Sequence, residues 1–306
     1  LLSFSVAMFG GSGGGMNNNN PNNDIVIDSS PSETVSCMRF NPKQQNMLLA
    51  SSWDKTVSCW EVQQNGMAVP KAQQKMEGPI LACDWAQDGQ TAFMAGCDNK
   101  VKAWSLSSNQ TMDLGMHQAP VKTLFAVQEM NAVCTGSWDK TIKFWDARSP
   151  KQIGSIDLDE RVYSMDAGHP LLVVGMAERK VSIFDLRKLP QPFRNLESPL
   201  RMQTRCVAAF TSKDGFAIGS IEGRVGIHCF EDKSRCFAFK CHRGVDGSKQ
   251  GKPDRSKEIY SVNCIAFHKF NTFATAGSDG VYTFWDKDAK RKLKSFEASG
   301  NAITAA

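Results

Sequence analysis

An all-β propeller is the fold class this sequence predicts, and three observations predict it. An acidic residue stands six positions before an aromatic-type residue in Asp54/Trp60, Asp98/Trp104, Asp139/Trp145, Glu178/Phe184, Glu222/His228 and Asp279/Trp285. Each acid follows a short apolar run ending in small residues, as in LLASSWD, FMAGCD, VCTGSWD, VVGMAE, AIGSIE and ATAGSD. Each precedes an alternating strand: KTVSCW, NKVKAW, KTIKFW, RKVSIF, GRVGIH and GVYTFW. A unit of about 40–45 residues recurring this way is the signature of propeller blades. Such a molecule is a scaffold with rims for partners, and its repeated acids serve turns rather than chemistry.

The spacing has a local cause. An Asp in a tight turn between strands bonds backbone N–H groups and tolerates the turn's unusual dihedrals. Six residues on, an aromatic ring at the strand end fills the wedge between neighbouring blades. In Thr141-Ile142-Lys143-Phe144-Trp145 the two faces differ in polarity, as a half-buried strand requires.

Taken in order, residues 1–23 are Gly/Asn-rich (GGSGGGMNNNNPNN) and predict a disordered tail. Asp24–Asp28 (DIVID) reads as a short strand apart from blade one, expected to complete the last blade. Six blades follow, with first strands beginning near Val35–Phe40, Ile80–Trp85, Val121–Phe125, Val162–Met165, Cys206–Phe210 and Val262–Phe267. The last two blade ends lie 57 residues apart, against 39–44 for the others. The surplus is a polar loop insertion near 242–258, CHRGVDGSKQGKPDRSKE. After Trp285 comes an outer strand for blade six and a stub at Ala302–Thr304. The expectation is a 24–306 propeller with six recognisable blades plus a truncated seventh, incomplete at the C-terminus.

Composition narrows the class. The 306 residues are 41% hydrophobic and 22% charged, with a net charge of +5, as in a soluble globular protein. No run approaches the roughly 18 apolar residues of a membrane span, so no membrane insertion is expected. The opening LLSFSVAMFGG lacks a basic n-region and does not read as a secretory signal. Of ten cysteines, Cys37, Cys59, Cys83, Cys134, Cys206, Cys229 and Cys264 sit inside strand patterns, where a thiol behaves as a small hydrophobe. That favours a reducing cytosolic or nuclear compartment over a disulfide framework. Cys236, Cys241 and His242 match no usual zinc spacing and read as packed cysteines beside a solvated histidine. There is no phosphate-binding Gly loop, GxSxG elbow or HExxH pair. Neither enzymatic activity nor a cofactor is expected.

Two groups of residues are candidates for binding. Arg205 opens the first strand of blade five, and Arg224 follows the turn of Glu222. Arginine's rigid donor fork suits carboxylates at interfaces; the alternative is an internal salt bridge, such as Arg224 with Glu222. Lys287, Lys290, Arg291, Lys292 and Lys294 place five positive charges in eight residues, against Asp286 and Asp288. Such density favours phosphate without sequence selectivity; the alternative is a solvated loop face. Trp53 and Trp138, before the turn Asp in SWDK, fit a contact anchor and packing on the adjacent Lys stem equally well, and are not taken as sites.

Specific words go beyond a generic propeller. VPKAQQ with GPILACDW, LSSNQ, GMHQAPVKTL, TGSWDKTIKFWD, ESPLRMQTRCVAAF, GSIEGRVGIH, FAFKCHR, IYSVNCIAFH and TAGSDGVYTFWDKDAKRKLK together resemble the WD-repeat mRNA export factors of the nuclear pore, over about residues 24–298. SIEGRV, FKCHR and ATAGSDG also resemble a paralogous mitotic spindle-checkpoint WD-repeat family. LSSNQ, PKAQQ, WDKDAKRKLK and the Met8-Phe9-Gly10 tail favour the export factors. The resemblance implies a non-enzymatic adaptor that captures a hairpin motif of a phenylalanine–glycine nucleoporin and contacts RNA and messenger ribonucleoprotein. It implies a nuclear and nuclear-pore location, with cytoplasmic, spindle and mitotic-checkpoint roles besides. By the same resemblance Arg205 and Arg224 hold acidic side chains of the hairpin, and Lys287, Lys290 and Lys292 meet nucleic acid. Phe239 and Trp285 form an aromatic spot beside that basic patch where a base stacks, the alternative for Trp285 being blade packing. Phe184 and His228 stand where the family usually has Trp. A checkpoint-kinase adaptor and a generic scaffold are the competing readings.

Overall fold

The computed structural model describes residues 6–7, 22, 24–27, 29–244 and 257–305. Among them are six four-stranded antiparallel sheets, each built from four consecutive strands in chain order. Among the described residues the helical pieces are three-residue 3₁₀ turns, and no helix is long and apolar enough to cross a membrane. The all-β, six-bladed architecture thus follows the sixfold sequence register.

First strands run Val35–Phe40, Ile80–Trp85, Val121–Val127, Val162–Gly168, Thr204–Ala209 and Val262–Phe267. Blade five therefore starts two residues earlier than the sequence suggests. Third strands carry the closing ring residues: Thr56–Val62, Lys100–Ser105, Thr141–Asp146, Lys180–Asp185, Arg224–Cys229 and Tyr282–Asp286. In blades one, two, three, five and six the register slips at the second residue of the first strand. Ser36, Leu81, Lys122, Arg205 and Asn263 are thus bulge residues, and a bulge re-aims its side chain away from the ladder.

The turn carboxylates work as expected in four blades. The carboxylates of Asp54, Asp98, Asp139 and Asp279 accept the N–H of Thr56, Lys100, Thr141 and Val281, at 2.9, 3.1, 3.0 and 3.1 Å. The left-handed dihedrals belong to the residue after each acid, Lys55, Asn99, Lys140 or Gly280, rather than to the acid itself. In blade four Glu178 is itself left-handed.

The chain divides into two compact units, one running through Val162 with Ala305, the other spanning Tyr163–Thr304. In the first unit the core lies between successive blades. Leu49, Val57, Cys83, Met94 and Trp104 fill one wedge, and Phe93, Val101, Leu124, Val133 and Trp145 the next. The second unit repeats this with Val173, Ile183, Phe216 and Ile218, then with Phe210, Ile227, Val262 and Phe273.

Each unit also contains a buried polar chain that sequence reading missed. In the first, Asp139 Oδ2 lies 2.9 Å from His117 Nδ1. His117 Nε2 lies 2.8 Å from Thr135 Oγ1, which accepts the Trp145 indole N–H at 2.8 Å. Burial pushes His117 below the usual imidazole range, outweighing the pull of Asp139. Burial also presses Asp139 upward, but bonds from Thr141, Gln118 and His117 hold it below the usual carboxylate range. A neutral ring donating to a charged carboxylate satisfies every member of the chain. In the second unit Asp279, His242, Thr275 and Trp285 repeat the arrangement at 2.9, 3.0 and 2.9 Å. The reading of His242 as solvated is therefore corrected: it is buried, its ring held at both nitrogens.

Two further expectations change. Ile25–Val26 pairs in parallel with Val6–Ala7 and joins none of the four-stranded sheets. Nor does it lie apart from blade one, because Ile27 is buried among Val35, Ala50 and Trp60, and the Trp60 indole donates to Ser29 Oγ at 3.0 Å. Backbone satisfaction by the tail and side-chain burial by blade one together fix the segment there. The stub at residues 302–304 is not a strand; Ile303 donates one N–H to Gly277 O at 3.1 Å. Most of residues 1–23, and residues 245–256 of the polar insertion, lie outside the described residues.

Candidate functional site

The arginine, lysine and paired aromatic candidates fall in the second unit, within blades five and six. The register explains how blade five presents its two arginines. Thr204 pairs with Ser220 and Cys206 with Gly219, leaving Arg205 as the extra residue of the bulge. Gly219 pairs with Val225 across the other ladder, so Arg224 stands one step beyond, at the same edge of the sheet. Two strand spacings separate the positions, roughly 10 Å. Arg205 is exposed, and its Nε donates to Asn263 Oδ1, the bulge residue of blade six, at 3.2 Å. Arg224 Nε lies 3.6 Å from Glu222 Oε2, so the internal pair weighed for it exists, at a length that leaves the guanidinium loosely held.

Around these arginines stand exposed apolar side chains that sequence reading missed. Met202 precedes the first strand of blade five, Ile221 tips its turn, and Ile259 precedes blade six, at 51%, 41% and 50% exposure. Arg243 Nη2 donates to Glu222 O at 2.8 Å, and Arg243 bridges Ile259 through the backbone. These bonds hold the 241–243 and 259–260 segments against the Ile221–Gly223 turn. A bulky apolar residue at a turn tip, as in GSIEGR, was the available signal for Ile221. Exposed apolar groups among arginines suit a protein partner better than solvent.

The basic stretch forms the hairpin between the last two strands of blade six, Tyr282–Asp286 and Arg291–Ser295. Here one candidate is corrected. Lys287 is buried, at 3% exposure; its ammonium donates to Asp288 Oδ1 at 2.7 Å and lies 5.0 Å from the Phe210 ring centroid. A charge so enclosed and paired is not offered to phosphate. Lys290 and Lys292 are exposed. Lys290 Nζ lies 5.2 Å from the Phe237 ring centroid and 3.3 Å from Ser234 O. Arg235, unremarked in the sequence, joins Asp214 at 3.0 Å and Asp288 at 3.2 Å. Burial presses the Asp288 carboxyl up, but Lys287 and Arg235 hold it below its usual range. Ile227, Cys229, Arg235, Lys287, Asp288 and Lys290 line a cavity of about 110 Å³.

Phe239 and Trp285 do come together, with ring centroids 4.5 Å apart at 47°. Both are partly buried against the core of blades five and six, and the Trp285 indole is committed to Thr275. Blade packing accounts for Trp285. Lys290 instead lies over Phe237, which is likewise partly buried against that core. Among the described residues no group of acidic, Cys or His side chains could hold a metal.

Comparison with known proteins agrees with this architecture. The WD domain, G-beta repeat pattern matches residues 25–61, 71–105, 109–146 and 255–286. The unmatched stretch holds blades four and five, where Phe184 and His228 replace the closing Trp. Protein Rae1 of Drosophila melanogaster is 45% identical over 292 residues, 92% of this chain and 83% of that protein. The mRNA export factor GLE2 of Chaetomium thermophilum is 42% identical over 290 residues, covering 92% and 80% of the two chains. The Poly(A)+ RNA export protein of Schizosaccharomyces pombe is 40% identical over 287 residues, covering 92% and 79%. None of these names describes an enzyme. With such identity along nearly its whole length, and with the blades that carry it, this chain belongs to the Rae1/GLE2 family of WD-repeat mRNA export factors.

Proposed function

We propose that the protein is a non-enzymatic adaptor in nuclear mRNA export, docking a hairpin of a phenylalanine–glycine nucleoporin on blade five. One observation carries the reading: a bulge arginine and a turn arginine emerge from one sheet edge among exposed Met202, Ile221 and Ile259. That edge offers two carboxylate forks inside an apolar surround, the chemistry of an acidic, amphipathic hairpin. Relatives named for mRNA and poly(A)+ RNA export support a nuclear role, and the nuclear pore is part of the proposal. A second surface, with Lys290 over Phe237 and Lys292 exposed on the same hairpin, supports contact with the RNA cargo. Checkpoint partners and a spindle role rest on the sequence resemblance alone.

The test is calorimetry with a synthetic nucleoporin hairpin peptide. Arg224→Glu replaces a donor by a repulsive charge and is expected to weaken binding by at least about 2 kcal/mol. Unchanged affinity with an intact β circular-dichroism spectrum assigns the hairpin to another surface.

A further inference from the structure

We propose that Cys37 is a peroxide-reactive thiol and Cys83 its resolving partner, so that hydrogen peroxide joins blades one and two through a disulfide. The two cysteines stand on the first strands of adjacent blades, Val35–Phe40 and Ile80–Trp85. These strands are already fastened side by side. Ser36 Oγ donates to Ile80 O at 2.5 Å, and the Trp85 indole donates to Arg39 O at 3.0 Å. Between those two ties the thiols meet reciprocally. Cys37 Sγ lies 3.5 Å from Cys83 O, and Cys83 Sγ lies 3.8 Å from Cys37 O. Each sulfur therefore reaches the other residue's backbone, so the two thiols are neighbours across the seam between the strands.

Their environments differ in the sense that a sensing pair needs. Cys37 is partly exposed, whereas Cys83 is fully buried in the wedge beside Leu49, Met94 and Trp104. The Cys83 thiol beside it holds Cys37 well below the usual thiol range, against the opposing effect of burial, and Arg39 and Lys122 act in the same direction. Burial pushes Cys83 up, as does its neighbour Cys37. Elsewhere burial alone dominates: Cys59 is pushed up to about 12, and Cys134 is raised as well. A thiol held below its usual range and in contact with a second cysteine is the arrangement that oxidises reversibly. No disulfide joins any of the ten cysteines in the structure.

The chemistry balances with hydrogen peroxide as the only added reactant. The Cys37 thiolate sulfur attacks one peroxide oxygen, the O–O bond breaks and hydroxide departs. Cys37 is left as a sulfenic acid, oxidised by two electrons. Cys83 sulfur then attacks the Cys37 sulfur; the S–S bond forms, the S–O bond breaks, and the leaving hydroxide takes the Cys83 proton as water. In sum, two thiols and one peroxide give one disulfide and two waters.

The experiment treats the folded chain with hydrogen peroxide, alkylates the remaining thiols under denaturing conditions and maps peptides without reductant. Chymotrypsin is used because cleavage after Trp85 separates Cys83 from Cys97. The expected product is a linked pair of peptides carrying Cys37 and Cys83, released by reduction. Cys37 should be consumed at least roughly tenfold faster than Cys134. In Cys83→Ser the sulfenic acid persists on Cys37 and is trapped by dimedone. Recovery of Cys37 and Cys83 as separate alkylated thiols, at a dose that oxidises Cys97, overturns the proposal. So does linkage of Cys37 to any other cysteine. The parent map decides the question even where the Ser variant fails to fold.

Discussion

Asp84 shows how one side chain joins two blades. From the first strand of blade two its Oδ2 accepts the N–H of Ala126, in blade three, at 2.8 Å, while Oδ1 accepts that of Trp85 at 2.9 Å. Asp166 repeats the clasp between blades four and five, accepting the N–H of Ala209 at 2.7 Å. Burial pushes Asp84 up to about 6, against Arg39 and both backbone donors. A carboxyl whose folded pKa exceeds its unfolded value of about 3.9 binds protons more tightly when folded. Its contribution to stability is therefore full below about pH 4 and declines as pH rises to about 6. Asp84→Asn keeps an acceptor for Ala126 and removes the titration. Between pH 4 and 6.5 the variant should gain about 1–2 kcal/mol relative to the parent in urea unfolding, the full shift being reduced by residual solvent contact. A difference that is flat with pH would show that Asp84 stays charged throughout.

At the scale of elements, close fit between a strand and its neighbour's ring decides the geometry. Gly115 lies in the fourth strand of blade two, Gln110–Met116, where the register slips between Asp113 and Gly115. A Cβ there would stand 2.2 Å from the Trp145 ring of blade three. Gly115→Ala should thus displace Trp145, strain its bond to Thr135 and cost about 2–3 kcal/mol in denaturant unfolding. Combined with Trp145→Phe, which shortens the ring, the penalties should add to clearly less than their sum. Full additivity would mean that Gly115 serves its own strand's backbone rather than the ring. The turns behave similarly: Asp54 and Asp139 fix theirs through Thr56 and Thr141, side chain and backbone together.

For the molecule as a whole, charge distribution matters more than net charge. A formal charge of +5 is modest, and much of the conspicuous basic stretch is internally spent. Lys287 belongs to Asp288, which Arg235 also engages, while Lys290 and Lys292 stay exposed. Reversing Lys290 and Lys292 to Glu should flatten the slope of log K against log salt for single-stranded RNA by about 2 units, one per lost phosphate contact. Fluorescence anisotropy across a salt series measures it. Lys287→Glu should instead lower stability, since it puts an unpaired carboxylate at a buried position beside Asp288. An unchanged slope in the double variant would make these lysines a solvated face.

The sequence by itself determined the repeat, the strand class and the blade count of the described residues, because those depend on local periodicity and turn chemistry. Asp139 and Trp145 announce a turn and a wedge from six residues apart, and FAFKCHR and GSIEGRVGIH mark the family. Tertiary structure alone decided which of the marked residues remain available. Lys287 and Lys290 are three positions apart in one charged run, yet one is buried on Phe210 and the other lies exposed over Phe237. His242 looked like a loop residue because the partners that enclose it, Thr275 and Asp279, lie across the inserted loop. Arg205 and Arg224 are marked in the sequence, but only the slipped register shows how Arg205 turns outward at the edge that Arg224 shares. The meeting of Cys37 with Cys83 is equally invisible across 46 residues of chain. Local patterns carry what the backbone does within a blade, whereas burial, bulges and pairings arise where one blade's side chains meet the next.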